Sequence, residues 1–548
     1  MIIARCGSAR LIYTVGMAEG RGSSTRRLSS GEGPQTLVDN GFGPEDLRRA
    51  REVLEAVVSD RALLALLPEE ERTRLLVAAG RTVHPDLQQK RRLVRSLRAD
   101  QKRRAEARDR AVLHATGIRA ARQTDVFVPP KRVLETGAPS SERTVDRPRT
   151  CYVCKAEYRR VHVFYDALCP ACAALNYEKR FQTADLDGRV ALVTGARVKI
   201  GYQAALKLLR AGASVVATTR FPHDAARRYA TEPDFADWGA RLQIRGLDLR
   251  HSPSVEIFCS LLDRDLPRLD LIVNNACQTV RRPPGFFAHL LEFEERDTEA
   301  LPAELVPLLA RHRESVRLLA AASPESNGGG EGFGGLVAWR GGGAGLGLRH
   351  SARLSQVGFD FDEAARREDL FPGGALDADL QQVDRRAVNS WRLKLAEVRT
   401  PEMIEVQLVN AVAPFILCAR LKPLMLRTPG RNKHVVNVSA MEGVFSRGTK
   451  TDRHPHTNMA KAALNMLTLT AARDYVKDGI HMNAVDTGWI TDEDPFLHAE
   501  RKKQELGFEP PLDVVDGAAR VLDPFLAGLK SGEHASGKFF KDYQPSNW

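Results

Sequence analysis

Alternating strand and helix patterns begin near residue 187 and continue to the end of the chain. Short runs rich in β-branched residues, such as residues 190–193 and 214–218, are followed by longer amphipathic segments. Strands that alternate with helices in this way form a parallel sheet with helices on both faces. The pattern therefore predicts the α/β fold class, with a doubly wound parallel-sheet domain over residues 187–548.

Helical periodicity precedes this domain. Three helices are predicted within residues 43–122, because apolar residues recur there at helix-like spacing. The third contains a stretch, residues 98–110, in which no apolar residue is larger than Ala, so that stretch cannot be half buried. Residues 1–42 are rich in Gly, Ser and Arg and are predicted to be disordered, and the proline-containing residues 123–150 are predicted to be a linker.

The net charge of the chain is concentrated in its first third. The 548 residues carry a formal net charge of +12, and residues 1–186 account for +11 of it, with 34 Lys and Arg against 23 Asp and Glu. A basic extension on a near-neutral domain predicts contact with nucleic acid or another acidic partner through that extension alone. A solvated helix is the simpler interpretation of its third helix.

Hydropathy and cysteine content indicate the cellular environment in which the protein is expected to work. No apolar run approaches the roughly 18 residues needed to cross a bilayer, so we expect no membrane span. Four of the eight cysteines are scattered, which is typical of a reducing, cytoplasmic setting rather than a disulfide framework. The arginine-rich start of the chain leaves organelle targeting as the alternative.

The other four cysteines form a C-x2-C-x14-C-x2-C pattern. Two such pairs complete a tetrahedral thiolate shell, so the spacing predicts a structural zinc ion in a ribbon-like module over residues 151–180. The predicted ligands are Cys151, Cys154, Cys169 and Cys172. The insert between the pairs suits two short strands, and its His162 is predicted to be a surface residue rather than a ligand. The basic module is predicted either to stabilise a small fold or to contact RNA or DNA.

A glycine-containing turn connects the first strand of the α/β domain to its first helix. Residues 189–201 read R-V-A-L-V-T-G-A-R-V-K-I-G, so the strand ends at Thr194, the turn begins with Gly195 and the helix begins near Gly201. Such a turn directs backbone N–H groups and a helix N-terminus toward a pyrophosphate. The segment therefore predicts a dinucleotide site at the end of the first strand.

Five ordered motifs in this domain resemble those of the short-chain dehydrogenase/reductase family. The T-G-x3-G-x-G turn is matched except that Lys199 replaces the middle glycine. N-N-A-G is matched except for Cys277, and P-G-x-I-x-T except for Thr487 in place of Pro. An Asp-Leu pair and the Asn of V-N-x3-P-F complete the set. The resemblance implies a Rossmann fold that binds a nicotinamide dinucleotide.

The residues after the second strand favour NADP(H) over NAD(H). An acidic residue there would accept a hydrogen bond from the ribose 2′-OH of NAD, but this chain has Thr219 and Arg220. Arg220, with Arg197 and Lys199 of the turn, can grip a 2′-phosphate through charge-assisted hydrogen bonds, and the alternative for Arg220 is a solvated loop cation. With the family motifs, the predicted cofactor-binding residues are Thr194, Gly195, Arg197, Lys199, Ile200, Gly201, Arg220, Asp248, Leu249, Asn275, Ala276, Lys461, Thr487, Gly488 and Ile490.

The catalytic motif departs from the family pattern. The family uses a Ser, a Tyr and a Lys, with the last two in Y-x3-K, and this chain has Lys461 but Thr457 in place of the Tyr. A threonine alcohol is far less acidic than a phenol, whose pKa of about 10 is lowered by a neighbouring ammonium group. The resemblance implies a catalytic serine at Ser439, unless that position falls on Ala440, and a water-holding Asn410.

Three interpretations of this departure are open. In the first, His456 or His454 donates the proton, because imidazole titrates near neutrality. In the second, Thr457 relays a proton between the substrate and Lys461, and in the third the domain only binds nucleotide. The leading hypothesis is an NADP(H)-dependent oxidoreductase that reduces a carbonyl or imine. The alternative is a catalytically silent NADP(H)-binding protein whose basic, zinc-containing N-terminal region contacts nucleic acid or a protein partner.

A long insertion follows the fourth strand of the domain. It leaves the carboxyl edge of the sheet, where ligands bind in such folds, so we expect it to cap the substrate cleft at about residues 283–400. A purely structural lid is an equal alternative. The residues predicted to contact an acidic or aromatic small-molecule substrate are Arg281, Arg282, Phe286, Phe287 and His289. Cys277 is predicted to be a packing residue, and the family resemblance implies a homo-oligomer formed through the helices after Asn410 and Lys461.

Overall fold

The computed structural model describes residues 42–124, 126–130, 132, 143–321, 343–362 and 368–548. The predicted disordered segment, residues 1–42, lies outside these ranges except for Phe42. Within them the α-helices are α1 (Pro44–Ser59), α2 (Glu69–Val83), α3 (Leu87–His114), α4 (Gly117–Ala121), α5 (Pro170–Arg180), α6 (Lys199–Arg210), α7 (Pro222–Ala230), α8 (Phe235–Trp238), α9 (Ser252–Asp265), α10 (Pro284–Glu294), α11 (Val306–Ala321), α12 (Leu346–Arg349), α13 (Thr400–Gln407), α14 (Ala413–Arg427), α15 (Pro455–Tyr475), α16 (Phe496–Leu506) and α17 (Val514–Ser531).

The strands, in the same ranges, are β1 (Thr144–Thr150), β2 (Glu157–Arg160), β3 (Val190–Thr194), β4 (Ser214–Thr219), β5 (Leu242–Gly246), β6 (Leu271–Asn274), β7 (Lys433–Ser439), β8 (Ile480–Asp486), β9 (Phe539–Lys541) and β10 (Gln544–Ser546). Eight of them form one sheet in the order β10-β9-β8-β7-β6-β3-β4-β5, parallel except for β10. The strand order reverses between β3 and β6, which is where doubly wound folds bind their ligands. The predicted α/β class is confirmed.

Helices cover both faces of this sheet, and each face has its own hydrophobic core. On one face Leu206 of α6 and Phe525 of α17 pack with Val193 of the central strand. On the other face Leu261 of α9 and Leu417 of α14 pack against the opposite side of the same central strand. Because the strands are covered on both faces, they consist almost entirely of buried residues, which explains their continuous apolar runs.

One helical segment has the length and composition of a membrane span. It runs from Thr400 to Arg427 through a π-helical turn, Leu408–Val412, and half of its most apolar window is buried. Its buried side chains include Leu417, Leu421 and Leu424, which lie in the core beneath the sheet. The apolar composition is therefore explained by core packing.

The N-terminal unit, which extends to Asp100, contains the helices α1 and α2, a 3-10 helix (Arg61–Leu66) and the first half of α3. None of its described helical residues is buried. The three predicted helices are present, and no residue of α3 is buried, as expected for residues 98–110 from their composition.

The cysteine module begins earlier than predicted. Residues 144–150, assigned to a linker from their prolines, form β1, which pairs antiparallel with β2. Only one strand therefore lies between the two cysteine pairs, because β2 finds its partner upstream of Cys151 rather than within the insert. Ile118 of α4 is fully buried in the core of the module, so the predicted helical region also ends inside it.

Part of the insertion covers the edge of the sheet instead of the cleft. Helix α11 lies against the edge strand β5, where Arg245 donates to the Arg311 carbonyl and the Ser315 hydroxyl at 2.7 Å. The N–H of Gly246 donates to Nδ1 of His312 at 3.2 Å. An edge strand covered in this way is protected from pairing with another chain, so the expectation of a simple cap is wrong for this helix.

Candidate nucleotide site and catalytic centre

A cavity of about 360 Å³ opens at the carboxyl edge of the sheet, next to the reversal of strand order. Its wall is formed by the loops after β3, β4, β5 and β6 and by the loop after β8. Most of the predicted cofactor residues line it: Gly195, Arg197, Lys199, Ile200, Gly201, Arg220, Asp248, Leu249, Asn275, Ala276 and Ile490. Thr194, Lys461, Thr487 and Gly488 do not.

The glycine turn is held tightly against the loop after β6. The hydroxyl oxygen of Thr194 accepts hydrogen bonds from the N–H groups of Asn275 and Ala276, both at 3.0 Å. The side-chain amide of Asn275 donates in return to the carbonyls of Thr194 and Gly195. A Cβ atom at Gly201 would lie 2.3 Å from the Gly195 oxygen, so this close approach requires glycine. Thr194 and Asn275 therefore shape the turn.

Arg220 projects from the end of β4 over aromatic rings. Its guanidinium carbon lies 4.5 Å from the ring centre of Phe287 and 5.5 Å from that of Phe221. Burial, followed by the neighbouring guanidinium of Arg250, lowers the pKa of Arg220 to about 10, so it stays charged at neutral pH. Within the described chain the guanidinium makes no hydrogen bond or ion pair. The cavity therefore contains a half-buried cation that forms no ion pair within the described residues, although the carboxylates of Asp248 and Glu405 lie close enough to oppose the lowering of its pKa.

Arg197 does not have the free charge that its position in the turn predicts. Its guanidinium donates to Asp224 at 2.6 Å and is 7% exposed. Asp224 also accepts from Arg228, and these cations, opposing its burial, lower its pKa. Arg197 lines the cavity but shares the Asp224 carboxylate with Arg227 and Arg228, so it is paired rather than free, and its role as a phosphate ligand stays a prediction. Lys199, by contrast, has no ion pair with the residues that the structure describes.

Asp248 forms the floor of the adenosine side of the cavity. Its buried carboxylate accepts two hydrogen bonds from Arg250, the shorter at 2.7 Å, and these bonds lower its pKa despite burial. Arg250 also donates to Glu405 at 2.8 Å. Arg250, which was not identified from the sequence, lines the cavity and orients Asp248, one of the predicted cofactor-binding residues.

At the opposite end of the cavity, the loop after β8 supplies Ile490 and Thr491 to the wall. Gly488, with φ +79°, lies behind it and donates its N–H to Asp486 at 2.6 Å. Burial raises the pKa of Asp486 to about 6, although that hydrogen bond opposes the shift. Thr487 and Gly488 thus support the cavity wall but do not line the cavity.

Three predicted catalytic side chains are engaged with the protein itself. Lys461 donates from Nζ to the Val438 carbonyl at 2.7 Å, and Ser439 donates to the Asn465 side chain at 2.6 Å. Asn410 accepts from the N–H of Gln278 at 2.8 Å and donates to the Gln278 carbonyl at 3.3 Å. Ser439 and Asn410 are thus held by neighbouring residues, and their predicted contacts with substrate and water stay predictions.

The residues that replace the family tyrosine are buried with unsatisfied polar atoms. Thr457 and His456 are each 2% exposed, and neither the Thr457 hydroxyl nor either ring nitrogen of His456 has a hydrogen-bond partner. Nε2 of His456 lies 3.8 Å from Glu402, whose Oε1 is also without a hydrogen-bond partner. Burial lowers the pKa of His456 to about 4 and raises that of Glu402, so both neutral forms are favoured.

His454 is less suited to proton transfer than its position suggests. Its ring stacks on that of Trp391 at 3.9 Å, and burial lowers its pKa. Its backbone is left-handed, with φ +42°, where the preceding loop turns into α15. We therefore interpret His454 as a residue that packs the start of α15 against the insertion.

A second cavity of about 340 Å³ is lined by residues of the insertion and by Glu402 of α13. Arg281 lines this cavity but is paired with both carboxylate oxygens of Asp362 at 2.6 Å. Arg282 pairs with Asp384. Both arginines predicted to contact substrate are thus ion-paired, although Arg282 also lines the nucleotide cavity.

The other residues at the start of the insertion match their predicted roles in part, because Phe286 and Phe287 line the nucleotide cavity. Phe286 and Phe287 are 4% exposed and belong to a small core with Phe221, whereas His289 is exposed. Cys277, predicted to pack, is exposed and lines the nucleotide cavity instead. These assignments required the path of the insertion, which its sequence does not reveal.

The four predicted metal ligands are brought together. The sulfur atoms of Cys151, Cys154, Cys169 and Cys172 all lie within 4.8 Å of one another, with Cys154 and Cys169 at 3.6 Å. The N–H of Cys169 donates to the sulfur of Cys151 at 3.3 Å. A hydrogen bond from the Ala156 N–H, aided by the neighbouring thiols, lowers the pKa of Cys154 to about 7. This cluster can hold a thiolate-binding metal ion.

Two family models match the two parts of the chain that form most of the sheet. Residues 189–300 match the family model for short chain dehydrogenases, and residues 387–505 match the model for Enoyl-(Acyl carrier protein) reductases. The unmatched residues between them belong to the insertion.

Several relatives are similar to this chain. An uncharacterized protein of Acanthamoeba polyphaga mimivirus is 30% identical over 396 residues, which cover 70% of this chain and 72% of that protein. Retinol dehydrogenase 14 of Mus musculus is 34% identical over 116 residues, or 18% of this chain, and the match spans about a third (34%) of its length. Among solved structures, the angucycline C-6 ketoreductase LanV with bound NADP is 18% identical with a TM-score of 0.39, over 66% of this chain and 96% of its own. The chain belongs to the short-chain dehydrogenase/reductase family of oxidoreductases.

Proposed function

We propose that this protein is an NADP(H)-dependent oxidoreductase that reduces a carbonyl or imine group. The observation that carries the cofactor choice is Arg220, a charged side chain in the cavity at the end of the second sheet strand, without a carboxylate partner in the described residues. The strand end in this position lies beside the adenine ribose in dinucleotide-binding folds. A 2′-phosphate there would supply the missing anion.

The rest of the cavity supports the same cofactor. Lys199 begins helix α6, so its ammonium group and the free N–H groups of the first turn both favour a phosphate. The close-packed Gly195 and Gly201 allow the backbone to approach a pyrophosphate. No acidic side chain follows β4 before Phe221, so nothing there repels a 2′-phosphate.

The nicotinamide supplies the hydride when NADP(H) is bound. We propose that the proton comes from the His456–Glu402 pair and passes through the Thr457 hydroxyl. This proposal is supported by the unsatisfied polar atoms of His456, Thr457 and Glu402, of which His456 Nε2 and Glu402 Oε1 lie 3.8 Å apart. Relatives named for retinol and for a chlorinated cyclohexadiene diol act, by their names, on alcohols, which is consistent with hydride transfer at a carbon that bears oxygen.

We also propose that the four cysteines hold a structural zinc ion. Tetrahedral zinc with bonds of about 2.3 Å separates its sulfur ligands by about 3.8 Å, close to the 3.6 Å between Cys154 and Cys169. Four protein ligands leave no open coordination position, so the metal would stabilise the module and would not take part in the chemistry.

Titration with the two reduced nucleotides tests the cofactor assignment. Wild-type protein is expected to bind NADPH about ten- to a hundredfold more tightly than NADH, because a hydrogen-bonded charge contributes about 1.5–3 kcal/mol. Arg220→Ala should remove most of this preference while leaving NADH affinity unchanged. Arg227→Ala is the matched control, because Arg227 is exposed and paired with Asp224. Equal affinities for both nucleotides in wild-type protein would overturn the assignment.

A second role is proposed for the exposed helix α3. Ten of its residues are Lys or Arg against three acidic residues, and none of its described residues is buried. Clustered cations on an exposed helix suit a polyanion such as nucleic acid. Oligonucleotide binding by the full chain should weaken steeply with salt and be lost when Arg91, Arg95 and Arg98 are changed to Gln. Unchanged binding in that variant would exclude α3 as the contact.

Homo-oligomerisation is proposed through α13, α14 and α15. These neighbouring helices expose Ile404, Phe415, Met459 and Met466, each at least 47% accessible. Light scattering should show a dimer or tetramer in the wild type and a smaller species for Phe415→Glu. A monomeric wild type would refute this assembly.

A further inference from the structure

The cysteine module shares its hydrophobic core with the wall of the nucleotide cavity. One continuous cluster contains Tyr165 and Leu168 of the module together with Ile490, and Ile200 of the glycine turn packs against it. Both isoleucines line the nucleotide cavity. The module therefore lies directly behind the surface that faces the cofactor.

A hydrogen bond joins the first cysteine pair to the loop after β8. The N–H of Trp489 donates to the hydroxyl of Tyr152 at 2.9 Å. Tyr152 directly follows Cys151, and its own N–H donates to the Ala167 carbonyl at 2.9 Å. The position of this hydroxyl is thus set by the fold of the cysteine loop, while Trp489 immediately precedes Ile490 in the cavity wall.

Buried ion pairs fix the module to the segment that supports the same loop. Arg180, which ends α5, donates to both carboxylate oxygens of Asp513 at 2.6 and 2.7 Å and to Asp516 at 3.1 Å. Arg122 donates to the Leu512 carbonyl at 2.8 Å. A Cβ atom at Gly488 would lie 2.6 Å from the Leu512 side chain, so the wall and its support are in contact.

We propose that the metal-bound cysteine module holds in place residues 487–491, the part of the cavity wall that we expect to face the nicotinamide, with Tyr152 as the positioning residue. This inference rests on the proposed function for the identity of the cofactor, but the contact itself does not. The loop from Thr487 to Thr491 is joined to the sheet at one end only, through β8. The cysteine module supplies the second support, so the fold of the cysteine loop and the geometry of the wall are coupled.

Amide hydrogen exchange in Tyr152→Phe tests the contact directly. The substitution removes the acceptor and keeps the ring, so the Trp489 amide is expected to exchange about three- to tenfold faster, the range that one hydrogen bond supports. Tyr158→Phe is the matched control, because that hydroxyl donates to the Asp166 carbonyl inside the module at 2.7 Å. The control should leave Trp489 exchange unchanged. Equal Trp489 exchange in Tyr152→Phe and wild type would overturn the proposal.

Cofactor binding provides the second readout. Tyr152→Phe should weaken NADPH binding about three- to tenfold with metal content unchanged, and should leave the affinity for 2′,5′-ADP as it is, because that fragment lacks the nicotinamide. Removal of the metal by a chelator should accelerate exchange throughout residues 487–491 and reduce NADPH affinity more than 2′,5′-ADP affinity. Metal loss without any change in that exchange would contradict the coupling.

The two proposals fail in different ways. If wild-type protein binds neither NADPH nor NADH, the proposed function fails, whereas the exchange of Trp489 still decides whether Tyr152 holds the loop. If NADPH binds but Tyr152→Phe alters neither exchange nor affinity, the positioning role alone is refuted.

Discussion

The two ends of the nucleotide cleft differ in both sequence and structure. At the adenosine end, the glycine turn and Arg220 line an open cavity, and the residues match the family motifs. At the catalytic end, Thr457 and Lys461 are 2% and 4% exposed and line neither of the two cavities. The family tyrosine is replaced there, and the replacing residues are enclosed by the insertion and α13.

This difference separates the determinants of binding from those of proton transfer. The adenosine end needs backbone N–H groups and a cation, and it keeps them. The catalytic end needs an acid of suitable pKa, and the chain there has a histidine with a pKa of about 4 beside a carboxyl group of raised pKa. Binding is thus expected to survive changes that abolish turnover, whereas the reverse is not expected.

The largest effect is expected from Gly201→Val, which should abolish nucleotide binding. An added Cβ would lie 2.3 Å from the Gly195 oxygen and 2.4 Å from the Asn275 amide nitrogen, so the turn must open. Gly448→Val is the matched control, since nothing lies within 4 Å of a Cβ there. Calorimetric titration with NADPH distinguishes them, and retained binding in Gly201→Val would show that the turn is not the phosphate site.

His456→Ala should reduce turnover about a hundredfold or more, within the range for loss of acid–base assistance, because His456 belongs to the proposed proton route. The affinity for 2′,5′-ADP should change little, because His456 does not line the cavity. Steady-state kinetics and titration of the same preparation test both halves of the statement. Parallel loss of fragment binding and turnover would mean that the two ends are not separable.

His456→Gln should change how stability depends on pH. The pKa of His456 is about 4 when folded, against about 6.5 when unfolded, so the unfolded state takes up the proton first as the pH falls. Its neutral form therefore stabilises the fold above pH 6.5, and this contribution is lost toward pH 4. By pH 5 the wild type should lose about 2 kcal/mol relative to pH 8 through this residue.

Urea unfolding at both pH values measures the effect, and Gln at this position should remove that part of the loss. An identical pH dependence in His456→Gln and wild type would show that His456 is not held neutral by burial.

Much of the fold followed from local patterns, because buried parallel strands and glycine turns have distinctive sequences. The strand before Gly195 predicted the glycine turn, and the cysteine spacing predicted the thiolate cluster. The basic residue at position 220 predicted the cation at the end of the second strand. Each of these features depends on residues that are close together in the sequence. These are the features that the structure brings together at the adenosine end and in the cysteine cluster.

Features that depend on distant partners were not predicted. Arg197 is paired with Asp224, 27 residues away, and Ser439 bonds to Asn465 on a different element. The prolines of residues 123–150 predict a linker and not the strand β1, because its partner β2 lies beyond the first cysteine pair. The His454 ring packs on Trp391 of the insertion, whose composition carries no periodic signal for a lid.

The most direct test of the account is the affinity of the wild-type protein for 2′,5′-ADP compared with 5′-AMP, measured by calorimetry at fixed ionic strength. The two ligands differ only in the phosphate assigned to Arg220 and Lys199. The account predicts that 2′,5′-ADP binds about ten- to a hundredfold more tightly. Equal affinities, or no binding of either fragment at millimolar concentration, would contradict it.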